Sequence, residues 1–255
     1  MRTGNPTLNS KAFTGLAPAA ETMTIQGTVN KTLLLLLLAL VSAVWIWMRF
    51  FDGIGGALEP TQLAENSAAI FPWIIGGSLG GLVFAFITIF KKTWAGITAP
   101  IYALLEGLVL GGLSAIFEAQ FPGIVLQAVS LTFGTMLCML MAYSSGLIRP
   151  SEKFKLGIVA ATGAIFLIYL ATFILGFFGI SVPLIHGNGW FGIGFSLFVV
   201  VIAALNLVLD FDFITNAAQQ GAPKYMEWYG AFGLIVTLIW LYIEMLRLLA
   251  KLRSR

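Results

Sequence analysis

Residues 155–210 read KLGIVAATGAIFLIYLATFILGFFGISVPLIHGNGWFGIGFSLFVVVIAALNLVLD in one-letter code, with Lys155 and Asp210 at the ends and no charged side chain between them. A bilayer core roughly 30 Å thick takes about 20 helical residues per crossing. The stretch is too long for one helix and too apolar for water, so it must fold back once. Gly179, Pro183, Gly187, Asn188 and Gly189 cluster midway, where helix breakers mark a reversal. Two membrane helices joined by a turn follow, and the same logic works outward. A charge at the bilayer centre costs at least ~2.5 kcal/mol on insertion scales, so gaps between charges delimit spans. Lys31 and Arg49 bracket a first, Glu65 and Lys91 a second, Lys92 and Glu118 a third that holds Glu106, and Glu118 and Arg149 a fourth. A last span runs from about Trp228 to Leu249 and carries Glu244 and Arg247 near its end.

Composition agrees. Of 255 residues, 59% are hydrophobic and 10% charged, against roughly 25% charged in an average soluble domain. The mean hydropathy is +0.95. The net charge of +3 comes from 14 Lys and Arg that sit at span ends and in short loops, with no basic stripe to suit a nucleic acid. The fold class is an all-α integral membrane protein of about seven helices, since unpaired backbone is prohibitive in lipid and no ten-residue alternation suggests a barrel. Residues 1–31 form a polar tail, 32–250 the transmembrane domain and 251–255 a short basic end. Cys138 stands alone in an apolar run, where it reads as a small buried residue; one cysteine builds neither a disulfide nor a thiolate metal site. His186, in the turn beside Gly187, reads as a solvated loop residue. No cofactor motif and no catalytic triad is present, and the chain reads as no enzyme.

Basic residues alternate in side: Arg2, Lys11 and Lys31, then Lys91 and Lys92, then Arg149, Lys153 and Lys155, then Lys224. The positive-inside bias puts the N-terminus in the cytoplasm and, with seven crossings, the C-terminus outside. Lys251, Arg253 and Arg255 oppose that last step, which leaves open a re-entrant final segment and six crossings. Seven is the expectation.

Four acids fall within or at the ends of spans. Glu106 lies about 15 Å along the third helix at 1.5 Å per residue, near the bilayer midplane, where an ionisable group normally marks an ion or proton path. The bland alternative is a protonated Glu bonded to a neighbouring helix for packing. Asp210 and Asp212 close the sixth span and point about 200° apart, so only one faces the interior. Asp210 shares a face with Asn206 and is the better candidate; otherwise both meet water at a helix end. Glu244 precedes Arg247 by three residues, which allows an intrahelical pair. With all facing inward, Asp210, Glu106 and Glu244 would form a ladder of carboxylates, and Ca²⁺, which takes six to eight oxygens at about 2.3–2.6 Å, would need several helices and water to hold it. Gly76 with Gly80, Gly77 with Gly81, and Gly107 with Gly111 are spaced for close helix packing.

The run Ala99-Pro-Ile-Tyr-Ala-Leu-Leu-Glu-Gly-Leu-Val-Leu-Gly-Gly-Leu-Ser114 resembles the glutamate-glycine signature of the Bax inhibitor-1 family. Leu209-Asp210-Phe-Asp212 and the last-helix ending Glu244-Met-Leu-Arg-Leu-Leu249 are similar to that family's acid-ended sixth and Arg-Leu-Leu-ended seventh helices, and Asn5-Pro6 resembles a bacterial branch. The resemblance covers about residues 20 to 250. It implies helical hairpins around a central last helix and a pH-sensitive Ca²⁺ leak gated by two aspartates. The first maps to Asp210, with Asp212 as fallback. The second falls midway along the last helix, where Phe232 to Trp240 offers only Thr237, so a replacement partner would be Glu106, Glu227 or Glu244.

The resulting expectation is a Ca²⁺-permeable leak channel or Ca²⁺/H⁺ exchanger of a bacterial inner membrane, with Asp210 and Glu106 as cation ligands and proton acceptors and Ca²⁺ as permeant ion rather than cofactor. The alternative is a non-conducting regulator whose polar tail grips a membrane partner such as a quality-control protease. An intramembrane hydrolase fits poorly, because Asp210 and Asp212 lie on opposite helix faces.

Overall fold

The computed structural model describes residues 21–52, 60–179, 187 and 189–254. Seven long helices account for nearly all of them: α1 (Ile25–Phe51), α2 (Pro60–Phe90), α3 (Ala95–Gln120), α4 (Ile124–Ser144), α5 (Glu152–Phe177), α6 (Trp190–Gln219) and α7 (Met226–Arg253). Each is long and apolar enough to cross a bilayer. The reversal in the charge-free stretch falls between α5 and α6 as expected; Pro183, His186 and Asn188 lie outside the described residues. The last helix runs unbroken for 28 residues, or about 42 Å at 1.5 Å per residue, which is a full crossing rather than a re-entrant loop.

Local chemistry sets the ends. Thr24 caps α1, its hydroxyl accepting from the Gly27 N–H at 2.9 Å, so the helix starts at Ile25 rather than after Lys31. Ser151 caps α5 through the Phe154 N–H. Gly221, at φ +67°, allows the left-handed turn that joins α6 to α7. α6 itself continues to Gln219, two turns past the acids expected to end it, because no breaker occurs before that glycine. At the other end of the chain α7 runs through the basic residues assigned to a tail, and Lys251 donates to Ser196 Oγ at 2.8 Å and the Gly192 carbonyl at 3.1 Å.

The chain divides into two compact units. One gathers α1, α2 and α3 with Ala217–Val236. There α3 packs against both α1 and α2, and glycine makes the approach possible: a Cβ at Gly107 or Gly111 would strike the carbonyls of Ala39 or Ala43, and one at Gly77 would lie 2.7 Å from that of Leu105. Gly76, by contrast, faces open space. Ile46, Phe50, Ile70 and Ala115 form this unit's apolar core. The second unit gathers Leu126–Asn216 and Thr237–Arg255, with Ile165, Val199 and Ile202 packed beside Trp240, Tyr169 and Phe195. Burial is greatest in the last two helices: 61% of the most apolar window of α6 and of α7 is buried, against 17% in α2 and α4 and 11% in α5, which leaves those three to face lipid. Cys138 on α4 is accordingly exposed, contrary to the buried position expected for it. An apolar run does not distinguish a core-facing from a lipid-facing side chain.

Candidate functional site

Asp210 has no exposed surface and sits well inside α6, which removes the reading in which it meets water at a helix end. One turn earlier on the same face is Asn206, 1% exposed. Its side-chain amide nitrogen donates to Thr162 Oγ1 and to the Ile202 carbonyl, both at 2.9 Å. That uses both amide hydrogens, and the Asn206 Oδ1 is buried with no hydrogen-bond partner among the described residues.

Asp212 points elsewhere, as its 200° offset predicts. Its carboxylate pairs with Lys155 at 2.9 Å, and Lys155 also reaches Glu152 at 3.3 Å. Glu244 is buried and pairs with Arg247 at 2.8 Å, the intrahelical contact expected from their spacing. It also accepts from the Tyr169 hydroxyl, 3.1 Å from each carboxylate oxygen. Asp210, Asp212 and Glu244 all belong to the second unit, whereas Glu106 belongs to the first. There Glu106 is half-buried near the middle of α3, and a Cβ at Gly81 of α2 would lie 2.8 Å from its Oε1, so the glycine makes room for the carboxylate. Among the described residues no three His, Cys, Asp or Glu side chains converge as a metal-ligand set. A cation held here would need amide, hydroxyl, backbone or water oxygens to complete its shell.

A family model described as Bax inhibitor 1 like matches residues 5–254, nearly the whole chain. The chain belongs to that family. No curated protein and no solved structure matches it. Within this Bax inhibitor 1 like chain, the stretch Phe232 to Trp240, where the resemblance implies a second gating acid, offers Thr237, which is buried. Of the acids that could replace it, Glu227 is committed elsewhere. It is fully buried at the start of α7, accepts from the Thr24 N–H at 2.9 Å and the Thr24 hydroxyl at 3.0 Å, and forms ion pairs with Lys31 and, at 3.7 Å, Lys224. Gly27 gives it space, since any Cβ there would collide with the carboxylate. Two backbone hydrogen bonds, Met23 N–H to the Ala222 carbonyl and Lys224 N–H to the Glu21 carbonyl, tie the same two segments together.

Lys155, Thr162 and Tyr169 are the residues that reading the sequence missed. They stand seven apart on α5, hence on one face, and meet Asp212, Asn206 and Glu244 respectively. Their spacing was visible in the charge-free stretch, where Thr162 and Tyr169 are among the few polar side chains.

Proposed function

We propose that this Bax inhibitor 1 like protein is a pH-dependent, Ca²⁺-permeable leak pathway of a bacterial inner membrane, with its N-terminus in the cytoplasm. The observation that carries the reading is Asp210: a carboxylic acid with no exposed surface, inside a helix whose mean hydropathy reaches 2.5, beside a buried amide. Ionisable groups at such depth are costly and normally line ion or proton paths. Family membership supports the same class of activity, and the basic loops support the orientation. Asp210 attracts the cation when ionised, so protonation removes the charge that holds it, and flux falls as pH is lowered. Glu106, near the middle of α3, is proposed from its depth along that helix alone as a further proton-accepting acid.

Calcium entry into proteoliposomes containing a trapped indicator, measured between about pH 5 and about pH 8, tests this for the wild type, Asp210→Asn and Glu106→Gln. The expected result is flux that decreases toward low pH and is lost in Asp210→Asn. Wild-type flux no greater than that of empty liposomes, with the protein folded, overturns the leak.

A second reading, a non-conducting regulator that binds a membrane-embedded partner such as a protease, draws on the held segment ahead of α1. Residues 21–24 are fixed to the start of α7 through Glu227 and two backbone hydrogen bonds, so a partner pulling on the preceding chain would act on the last helix. Deleting residues 1–20 should then abolish partner capture and leave helix packing intact, and unchanged capture would count against this reading.

A further inference from the structure

The side chains that α5 turns to its neighbours include positions 155, 158, 162, 165 and 169, one continuous helical face. Ile158 and Ile165 are buried apolar residues, and the other three are polar. Successive polar levels are about 10 Å apart at 1.5 Å per residue. The two outer levels are closed. Lys155 meets Asp212 charge to charge, and the Tyr169 hydroxyl donates to Glu244, whose charge Arg247 offsets.

The middle level is different. Asn206 has spent its donors on Thr162 and Ile202, leaving an acceptor in a dry site, and buried acceptors normally find a donor. The Ile202 carbonyl, which can only accept, fixes which way the amide lies, and Thr162 Oγ1 takes the other amide hydrogen from the facing helix, so the oxygen is turned away from both. One turn along the same face stands the Asp210 carboxylate. An amide oxygen and a carboxylate one turn apart on one helical face offer two hard oxygen ligands, suited to a cation such as Ca²⁺ and repellent to an anion.

We propose that Asn206, oriented by the Ile202 carbonyl and held in place by Thr162, supplies its amide oxygen together with Asp210 as ligands for the permeating cation. This rests on the leak reading and names the residues that set its affinity. Asn206 is a ligand and Thr162 a positioning residue. One carboxylate with one neutral oxygen holds a divalent cation less tightly than two carboxylates would, and conduction needs binding weak enough for the ion to leave.

The test measures Ca²⁺ flux against Ca²⁺ concentration in proteoliposomes, and Ca²⁺-dependent thermal stabilisation of the same protein in micelles. Asn206→Leu should raise the half-saturating Ca²⁺ concentration at least about tenfold. Thr162→Val should raise it several-fold, and Thr162→Ser, which keeps the accepting oxygen, should restore it. Asn206→Asp should lower it and also lower the maximal flux, because the ion leaves more slowly. A merely structural Thr162 would reduce the amount of folded protein without moving half-saturation. Wild-type half-saturation in both Asn206→Leu and Thr162→Val, with Asp210→Asn inactive, overturns the proposal while the leak stands. No flux in the wild type, but calcium stabilisation that Asn206→Leu abolishes, keeps the site and removes the leak. Neither flux nor stabilisation in the wild type removes both.

Discussion

Glu227 and Asp210 are both without exposed surface, yet the polar side chains placed nearest them along the chain differ. Around Glu227 donors accumulate: the Thr24 amide and hydroxyl, Lys31 and Lys224. Beside Asp210 the neighbouring amide has used its donors and keeps an acceptor. A buried carboxylate supplied with cations and hydrogen bonds is a structural joint, strongly destabilising to break. A leftover buried amide oxygen one turn from a carboxylate is, on the reading proposed above, where an incoming cation would be held. The contrast separates two acids that sequence alone treats alike, since both are acidic residues on helices otherwise rich in apolar side chains.

Removing each charge is the most forceful way to break that comparison. Glu227→Ala leaves Lys31, whose side chain is 20% exposed, and the Thr24 amide without their acceptor, and should cost about 3–5 kcal/mol of stability. Asp210→Asn keeps size and polarity and should change stability by less than about 1 kcal/mol while abolishing flux. Denaturation in mixed micelles measures both. Equal losses for the two variants would mean that Asp210 is as much a structural joint as Glu227.

Glu244 lies between these extremes and sharpens the scale. It has a cation in Arg247, whose side chain is 45% exposed and so partly screened, and a donor in Tyr169. Tyr169→Phe removes one hydrogen bond to a buried carboxylate and should cost about 2 kcal/mol, less than Glu227→Ala. If the loss matches that of Glu227→Ala, the phenol rather than Arg247 is what compensates Glu244.

The fold was legible because the bilayer reduces the problem to spacing. The stretch between Lys155 and Asp210 dictated two helices and a turn, and the charges bracketing Glu106 delimited α3. Two boundaries shifted for local reasons: Thr24 starts α1 early by capping it, and α6 outruns Asp212 because polar residues such as Thr215 and Asn216 are compatible with a helix. The Glu244 to Arg247 pair was readable because it is local to one turn. Lys31 with Glu227 and Lys155 with Asp212 were not, because they join residues far apart in sequence and no alternation along the chain encodes them. Cys138 shows the complementary limit: hydropathy reports that a side chain is out of water but not whether protein or lipid covers it.

The smallest expected effects make the most discriminating pair. Thr24→Ala deletes the hydroxyl that caps α1 and donates to Glu227, and Thr162→Val deletes the hydroxyl that accepts from Asn206. The first removes two polar contacts and the second one, so they should cost about 2 kcal/mol and about 1 kcal/mol respectively. Thr24→Ala should be the more destabilising of the two. Function should run the other way: Thr24 serves a joint whose remaining contacts, Lys31 and Lys224, still hold it, so calcium half-saturation stays at the wild-type value. Thr162 steadies the Asn206 amide from the facing helix, so half-saturation shifts although the fold loses no more than in the other variant. A shift of the same size in Thr24→Ala would mean that loosening the helix ends alone is enough to alter calcium dependence, and the distinction between the joint and the acceptor site would fail.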